Sequence, residues 1–388
     1  MKYKQPDDNN MPIIARETPT CSVMSGTKKH IDKITVSRLD EKTVRPKADA
    51  VINTKPRNPI SRNTNLRFMI LFLSSFLFFL LLLLSANIYV DPRGVFGTGK
   101  YPVITATSRT EKIILLKAME PKPEALIFGS SHCMRYSPKY VEDITGLKTF
   151  NFSVDSGKME DFLALLNYSI EEIMIRPKLV ILGVCPRTFC EMKDEDLDDR
   201  LVSNAVLLNY VPLKPISNIQ KQAALYFKTL NFNYIKDLRR SIKLSRRQKL
   251  PLKRYKFEAD GFLATEEDFN KKGMLIPKDA SFTGFSQQRI EFLEAFLKIC
   301  RQNDIKLKIV ITPYAPDYIK QMEQNGENLS MLNKQLAELL KRHNKEFSFE
   351  LYEFPHIEDY SGVDEFMGAA HPSIYNSNLI LKKMFRQI

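Results

Sequence analysis

Cysteine is too scarce and too irregularly placed to organise this chain. Five occur in 388 residues, at Cys21, Cys133, Cys185, Cys190 and Cys300, with no CxxC pair among them. A disulfide framework is thereby excluded, although a single bridge is not. No His/Cys cluster has metal-ligand spacing, so no metal is expected, and no motif requires a cofactor. The G-x-S-x-G elbow of α/β-hydrolases is also missing, which disfavours that kind of serine enzyme. Gly94-x4-Gly99-Lys100 imitates a phosphate loop but runs into Tyr101 where Ser or Thr is needed. No internal repeat is evident.

Charge is lacking altogether from Phe68 to Val90, FMILFLSSFLFFLLLLLSANIYV, and the stretch is long enough to cross a bilayer, which takes about 20 residues. We assign residues 67–90 as one transmembrane helix, a signal anchor rather than a cleaved leader because a long polar tail precedes it. Residues 1–66, rich in Lys, Arg, Asn, Thr and Pro, have no sustained apolar period and are expected to be a disordered tail. Arg57, Arg62 and Arg67 precede the span and Asp91 follows it. Positive-inside bias then puts the tail in the cytoplasm and the C-terminal domain in the periplasm or outside the cell.

Basic residues outnumber acidic ones, giving a net charge of +13. The densest patch holds Arg239, Arg240, Lys243, Arg246, Arg247, Lys249, Lys253 and Arg254. Outside a membrane such a patch suits anionic glycan or lipid headgroups, with Arg239, Arg240, Arg246 and Arg247 as substrate-binding candidates, and not nucleic acid.

After a turn-rich neck over 91–123, apolar runs alternate with amphipathic ones. Strands are expected at 125–129, 148–153, 178–184, 305–312 and 347–353. Helices are expected at 138–145, 158–175, 286–303, within 315–343 and at 372–386. This alternation argues for an α/β fold, a flavodoxin-like three-layer parallel sheet over 124–388. It is interrupted by a mainly helical insertion at about 186–284, with one amphipathic helix around Ile216–Leu238, expected to cap the sheet's working edge.

The first strand runs Ala125-Leu126-Ile127-Phe128 and stops at Gly129-Ser130-Ser131. A serine delivered at a strand's carboxyl end is placed for nucleophilic attack once a base takes its proton. His371, in Ala369-Ala370-His371-Pro372, is the candidate base. His132 is expected to point away from Ser131, because neighbours on a strand face opposite sides. His356 and Tyr314 are lesser candidates at the same edge.

Ile127–Ser131 resembles the first block of the SGNH (GDSL-like) hydrolases. Phe150-Asn151-Phe152-Ser153-Val154 with Gly157 is similar to the second block, Leu179–Gly183 to the third strand, and Phe366–Pro372 to the block carrying the base. The resemblance implies Ser131 as nucleophile, His371 as base, and Ser131, Gly157 and Asn151 around the oxyanion. The neck, Asn87–Phe96, resembles single-span members that serve polysaccharide O-acetylation and teichoic-acid D-alanylation beside membrane-bound O-acyltransferases. Two positions depart from the pattern. Gly368 stands where the family has an acid, leaving Asp364 as the substitute, and Cys185 replaces an oxyanion asparagine.

The function these readings imply is an O-acyltransferase or esterase acting on acyl esters of a cell-surface polysaccharide. Its partners would be the membrane, an anionic or acylated polymer and a membrane-bound O-acyltransferase. The competing reading is a catalytically degenerate SGNH-like domain that binds polysaccharide or scaffolds its assembly complex. Neighbouring first and third strands would also bring Cys133 and Cys185 to one rim, where a disulfide is an option, and Cys133 is itself an alternative nucleophile.

Overall fold

The computed structural model describes residues 60–104, 107–190, 197–247, 256–264, 284–354, 366–367 and 371–385. Most of the tail assigned to residues 1–66 lies outside them. Asn63 to Ile388 forms one compact unit.

Five parallel strands make its sheet: β1 (Ala125–Phe128), β2 (Thr149–Asn151), β3 (Leu179–Val184), β4 (Lys306–Ile311) and β5 (Glu350–Glu353). Their order is β2-β1-β3-β4-β5, the flavodoxin-like arrangement expected from the sequence. Ile127 of β1 is in register with Asn151 on one side and Ile181 on the other. β1 and β3 carry no charged or polar side chain because helices cover both of their faces, whereas β4 begins with Lys306 and holds Lys308, whose ammonium donates to Tyr352 Oη at 2.9 Å.

On one face Phe128, Leu182 and Ile309 meet α2 (Ser108–Ala118), α4 (Met159–Glu171), α10 (Gln287–Gln302) and α12 (Leu329–Phe347). Phe128 stacks on Phe152 at 6.1 Å and meets the edge of Phe296 at 5.8 Å. On the other face Ile127, Ile181 and Val310 meet α3 (Pro138–Thr145), α11 (Pro316–Gln324) and α13 (Ile374–Phe385). Each buried Leu, Ile or Phe contributes about 1.5–3 kcal/mol, so these two layers dominate the stability.

Two buried ion pairs fix α4. Arg109 of α2 grips Asp161 with bonds of 2.7 and 2.6 Å, and Arg289 of α10 grips Glu160 at 3.0 and 2.9 Å. Removing one partner of such a pair leaves an uncompensated charge in the interior, at a cost of about 3–5 kcal/mol.

The insertion leaves through α5 (Pro186–Phe189) and returns beside it, with Cys190 bridging Phe285 and Ser286 N donating to Phe189 O at 2.9 Å. Closure at the base lets the excursion leave the sheet undisturbed. Part of the insertion reaches the loop after β2, where Arg200 lies 4.0 Å from Asp155. The short helices α6 (Asp199–Val202) and α7 (Ala205–Leu208) send Leu201, Leu207 and Leu208 into the core beside α4. The single helix expected around Ile216–Leu238 is two, α8 (Pro215–Lys228) and α9 (Phe232–Arg246). Asn231 makes the break by accepting Tyr234 N with its side chain as the N-cap of α9. Leu263 N bonds to Met134 O and Asp260 O accepts from Asn151 N, which covers the outer edge of β2.

Before the sheet comes α1 (Ile60–Val90), of which Thr64–Val90 is long and apolar enough to cross a membrane. At 1.5 Å per residue this stretch is about 40 Å long, more than the roughly 30 Å hydrocarbon core requires. Side chains from Thr64 to Phe79 are exposed, whereas Asn87 and Val90 are buried against the domain. Asp91 ends the helix with φ of 43° and accepts bonds from Val95 N, Phe96 N and Thr98 N, which shapes the neck.

Candidate active site

β1 ends at Phe128, and the chain leaves it as a 3-10 turn, Ser131–Cys133, that Ser130 opens by accepting His132 N with its hydroxyl. One neighbour holds the carbonyls at the end of the turn and just beyond it. Asn151 Nδ2 donates to Cys133 O and to Tyr136 O, both at 2.8 Å. At the other end of the chain a hairpin of β6 (Phe366–Met367) and β7 (His371–Pro372) precedes α13 and sets Met367 opposite His371. These two pieces meet: Ser131 Oγ lies 2.8 Å from His371 Nε2, a direct hydrogen bond. The pair sits at the carboxyl edge of β1, where open parallel sheets place their sites.

His371 is 8% exposed. Burial, followed by the nearby positive charges of Arg135 and Arg187, pushes its pKa down to about 4. At neutral pH its imidazole is therefore uncharged and able to accept a proton. The serine turn exposes one further group: Ser131 N–H, at the turn's first position, has no hydrogen-bond acceptor among the described residues.

Several sequence expectations are corrected by this geometry. Asn151 is no oxyanion donor, because both of its amide protons are committed to Cys133 O and Tyr136 O, and its Oδ1 accepts from Ser153 N. Gly157 N–H has its own acceptor, Val154 O at 3.2 Å. The glycine is needed there for packing, since a Cβ would come within 2.6 Å of the Phe162 ring. His132 belongs beside the pair after all. Its ring centroid is 5.0 Å from that of His371, and its Nδ1–H donates to Pro313 O at 3.2 Å. The strand-alternation argument failed because residues 131–133 are a 3-10 turn, in which neighbours do not face opposite sides.

Tyr314 is buried, edge-on to His132 and stacked on Tyr318 at 5.4 Å, which makes it a wall of the site. The expectations for Asp364, Gly368 and His356 lie outside the described residues. Arg239, Arg240, Arg246 and Arg247 lie on α9 or just after it, which is held to the neck by Asp237 and Ser241. Among the described residues no side-chain contact joins these four arginines to the Ser131–His371 pair.

Cys133 and Cys185 are both free thiols. Cys133 is fully buried, and burial pushes its thiol far up, which disfavours the thiolate that a nucleophile needs. Its sulfur rests on Gly129 and Gly183, one from each neighbouring strand end. A Cβ on Gly129 would meet that sulfur at 2.6 Å, and one on Gly183 would collide with it. Cys185 opens α5, its N–H donating to Thr188 Oγ1 at 3.2 Å. Among the described residues no group of three or more potential ligands could hold a metal ion.

Sequence reasoning missed Arg135 and Arg187. Arg135 follows the serine turn and Arg187 lies in α5 with its guanidinium 5.6 Å from the Tyr318 ring centroid. No local pattern marks either residue, because only the closing of the sheet brings them near His371.

No protein-family model matches the chain, and no curated protein matches it. Among solved structures, a protein described as an acylhydrolase from Bacteroides fragilis is 10% identical, covering 71% of this chain and 93% of that one with a TM-score of 0.32. A GDSL-like lipase from Bacteroides thetaiotaomicron is 11% identical, covering 72% and 93% with a TM-score of 0.32. Likenesses this remote leave the chemistry to be read from this chain's own residues.

Proposed function

We propose that the protein is a membrane-anchored serine acyl-transfer enzyme of SGNH-like type, working on acyl esters of a cell-surface polysaccharide. The observation that carries this reading is the 2.8 Å bond between Ser131 Oγ and His371 Nε2 at the carboxyl edge of a doubly wound sheet. In this mechanism Ser131 O–H donates to the neutral Nε2. The oxygen attacks the acyl carbonyl carbon while its proton passes to Nε2, and Ser131 N–H donates to the oxyanion. Collapse breaks the ester C–O bond, and the alcohol leaves with the proton from Nε2. A sugar hydroxyl or water then gives its proton to His371 and attacks the acyl-serine, which restores Ser131 O–H. Transfer and hydrolysis share every step except the identity of this acceptor.

The positive field of Arg135 and Arg187 at His371 favours an anionic substrate, whose charge would also ease protonation of the imidazole. Asp364 remains the proposed orienting acid. The apolar α1 supports anchoring, and the basic residues of its N-terminal flank support an outward domain.

One observation favours a second reading, polysaccharide binding without turnover: the amide protons of Asn151 and Gly157 are engaged elsewhere. A fluorophosphonate probe on the full chain distinguishes the two. Labelling that vanishes in Ser131→Ala is the expected result. A chain that stays unlabelled, or a label that survives the substitution, overturns the acyl-transfer reading.

A further inference from the structure

Helix α8 wears its apolar side chains on the outside. Ile216, Ile219, Ala223 and Phe227 recur at i, i+3, i+7 and i+11, which is one helix face, and all four are exposed. Ile216, Ile219 and Phe227 show 73%, 69% and 71% of their surface, and Phe232, across the turn in α9, shows 70%. Single exposed apolar residues are ordinary, but a stripe that ends in two phenylalanines is a contact surface. Beyond Phe232 the exposed face of α9 becomes basic, with Lys236, Arg239, Arg240, Lys243 and Arg246 outward, followed by Arg247. Among the described residues these cations enter no ion pair.

The place of this hairpin is fixed. Asn87, in the last turn of α1, donates through Nδ2 to Thr229 O at 2.9 Å, inside the turn between α8 and α9. Arg93 pairs with Asp237 at 2.8 Å and lies over the Tyr234 ring, while Phe96 stacks on Tyr226 at 5.2 Å. Ser241 Oγ donates to Pro102 O at 2.6 Å. Phe227 and Phe232 thus flank the point where the apolar helix enters the domain.

We infer that the α8–α9 hairpin lies in the interface of the bilayer that α1 crosses. Ile216, Ile219, Phe227 and Phe232 enter the acyl-chain boundary, and the basic stripe engages anionic headgroups. The inference rests on the reading of α1 as a span and not on the chemistry at Ser131. A bilayer, rather than a protein, is the occupant because the turn at the end of the stripe is bonded to the last turn of the apolar α1, and because the hairpin carries the basic flank that headgroups favour.

The absence of tryptophan makes the test direct. The full chain is reconstituted in phosphatidylcholine vesicles containing phosphatidylglycerol, with acyl chains brominated near the headgroup or near the methyl end. Phe227→Trp and Phe232→Trp report on the hairpin, Phe76→Trp on α1 and exposed Met174→Trp on water. Phe227→Trp and Phe232→Trp should emit at shorter wavelength than Met174→Trp and lose intensity to the shallow bromine. Adding Arg239→Glu, Arg240→Glu and Lys243→Glu should reduce that loss. Quenching of Phe76→Trp by the deep bromine, with the hairpin reporters no more quenched than Met174→Trp, overturns the inference and leaves the span standing. An unquenched Phe76→Trp overturns both. A blue shift without bromine quenching that grows with protein-to-lipid ratio means a second copy covers the stripe, and also overturns the inference.

Discussion

The rings of His132 and His371 stand 5.0 Å apart, tilted by 49°, yet only His371 is hydrogen-bonded to Ser131. His132 has its Nδ1–H on Pro313 O, and burial, with His371 nearby, holds it neutral. Substitution should separate the two. His371→Ala is expected to lower turnover by about 10²- to 10⁴-fold, the range of general-base catalysis, and Ser131→Ala added to it should cost little more. His132→Gln keeps a donor for Pro313 O and should cost less than the roughly 100-fold minimum expected for a general base. Steady-state kinetics on an acyl ester checks both, and a reversed ranking would assign the base to His132.

The acid limb of the pH–rate profile follows from the environment of His371. Its pKa is pushed down to about 4, so the base is competent above that value and lost below it. kcat/KM should rise with pH through about 4 and level off above. Arg187→Gln removes a positive charge that penalises the imidazolium, so the limb should move to higher pH. A limb that stays in place would mean that Arg187 does not act on His371.

The same shift predicts acid lability. The folded chain holds His371 below its unreacted value of 6.5 and therefore binds fewer protons than the unfolded chain. Its contribution is complete above pH 6.5 and disappears as pH falls towards 4, a loss of about 3 kcal/mol at most. Urea midpoints of the detergent-solubilised protein should fall over that window, and less steeply in His371→Gln.

Asn151 acts as a brace for the serine turn. Asn151→Ala strands Cys133 O and Tyr136 O in the interior and should cost about 3 kcal/mol, with turnover falling as the turn loosens. An oxyanion donor would behave differently, lowering kcat while leaving the urea midpoint unchanged.

Cys133 occupies the space that two glycines leave. Gly183→Ala should destabilise by about 1–3 kcal/mol through overpacking. Cys133→Ala removes the sulfur in the way, so the double variant should recover much of the loss. Additive costs in a double-mutant cycle would show that the two residues are not in contact.

Much of the fold was legible because parallel strands sheltered by helices are largely apolar, as β1 and β3 are and as the second half of β4 is. The Ser131–His371 pair was legible from residue types at a strand end and near the C-terminus. What remained hidden depended on partners rather than patterns. Nothing near Asn151 in the sequence says that its amide protons go to Cys133 O and Tyr136 O. The α8–α9 break at Asn231 carries neither Pro nor Gly, so periodicity ran through it. His132 was misplaced because a 3-10 turn replaced the expected strand geometry. Arg135 and Arg187 act on His371 through the closed sheet alone.

Asn87 is buried inside the domain, and under the proposed function this contact would limit how Ser131 explores its surroundings. A flexible stalk would let Ser131 sample a range of heights above the membrane, as a hook on a line does. Here the last turn of α1 is bonded to the domain, so on the proposed function the height of Ser131 above the membrane would be set by the fold, and a polymer would have to reach that level to be acylated or deacylated. Lengthening the neck should therefore change which stretch of polymer is reached before it changes the chemistry performed.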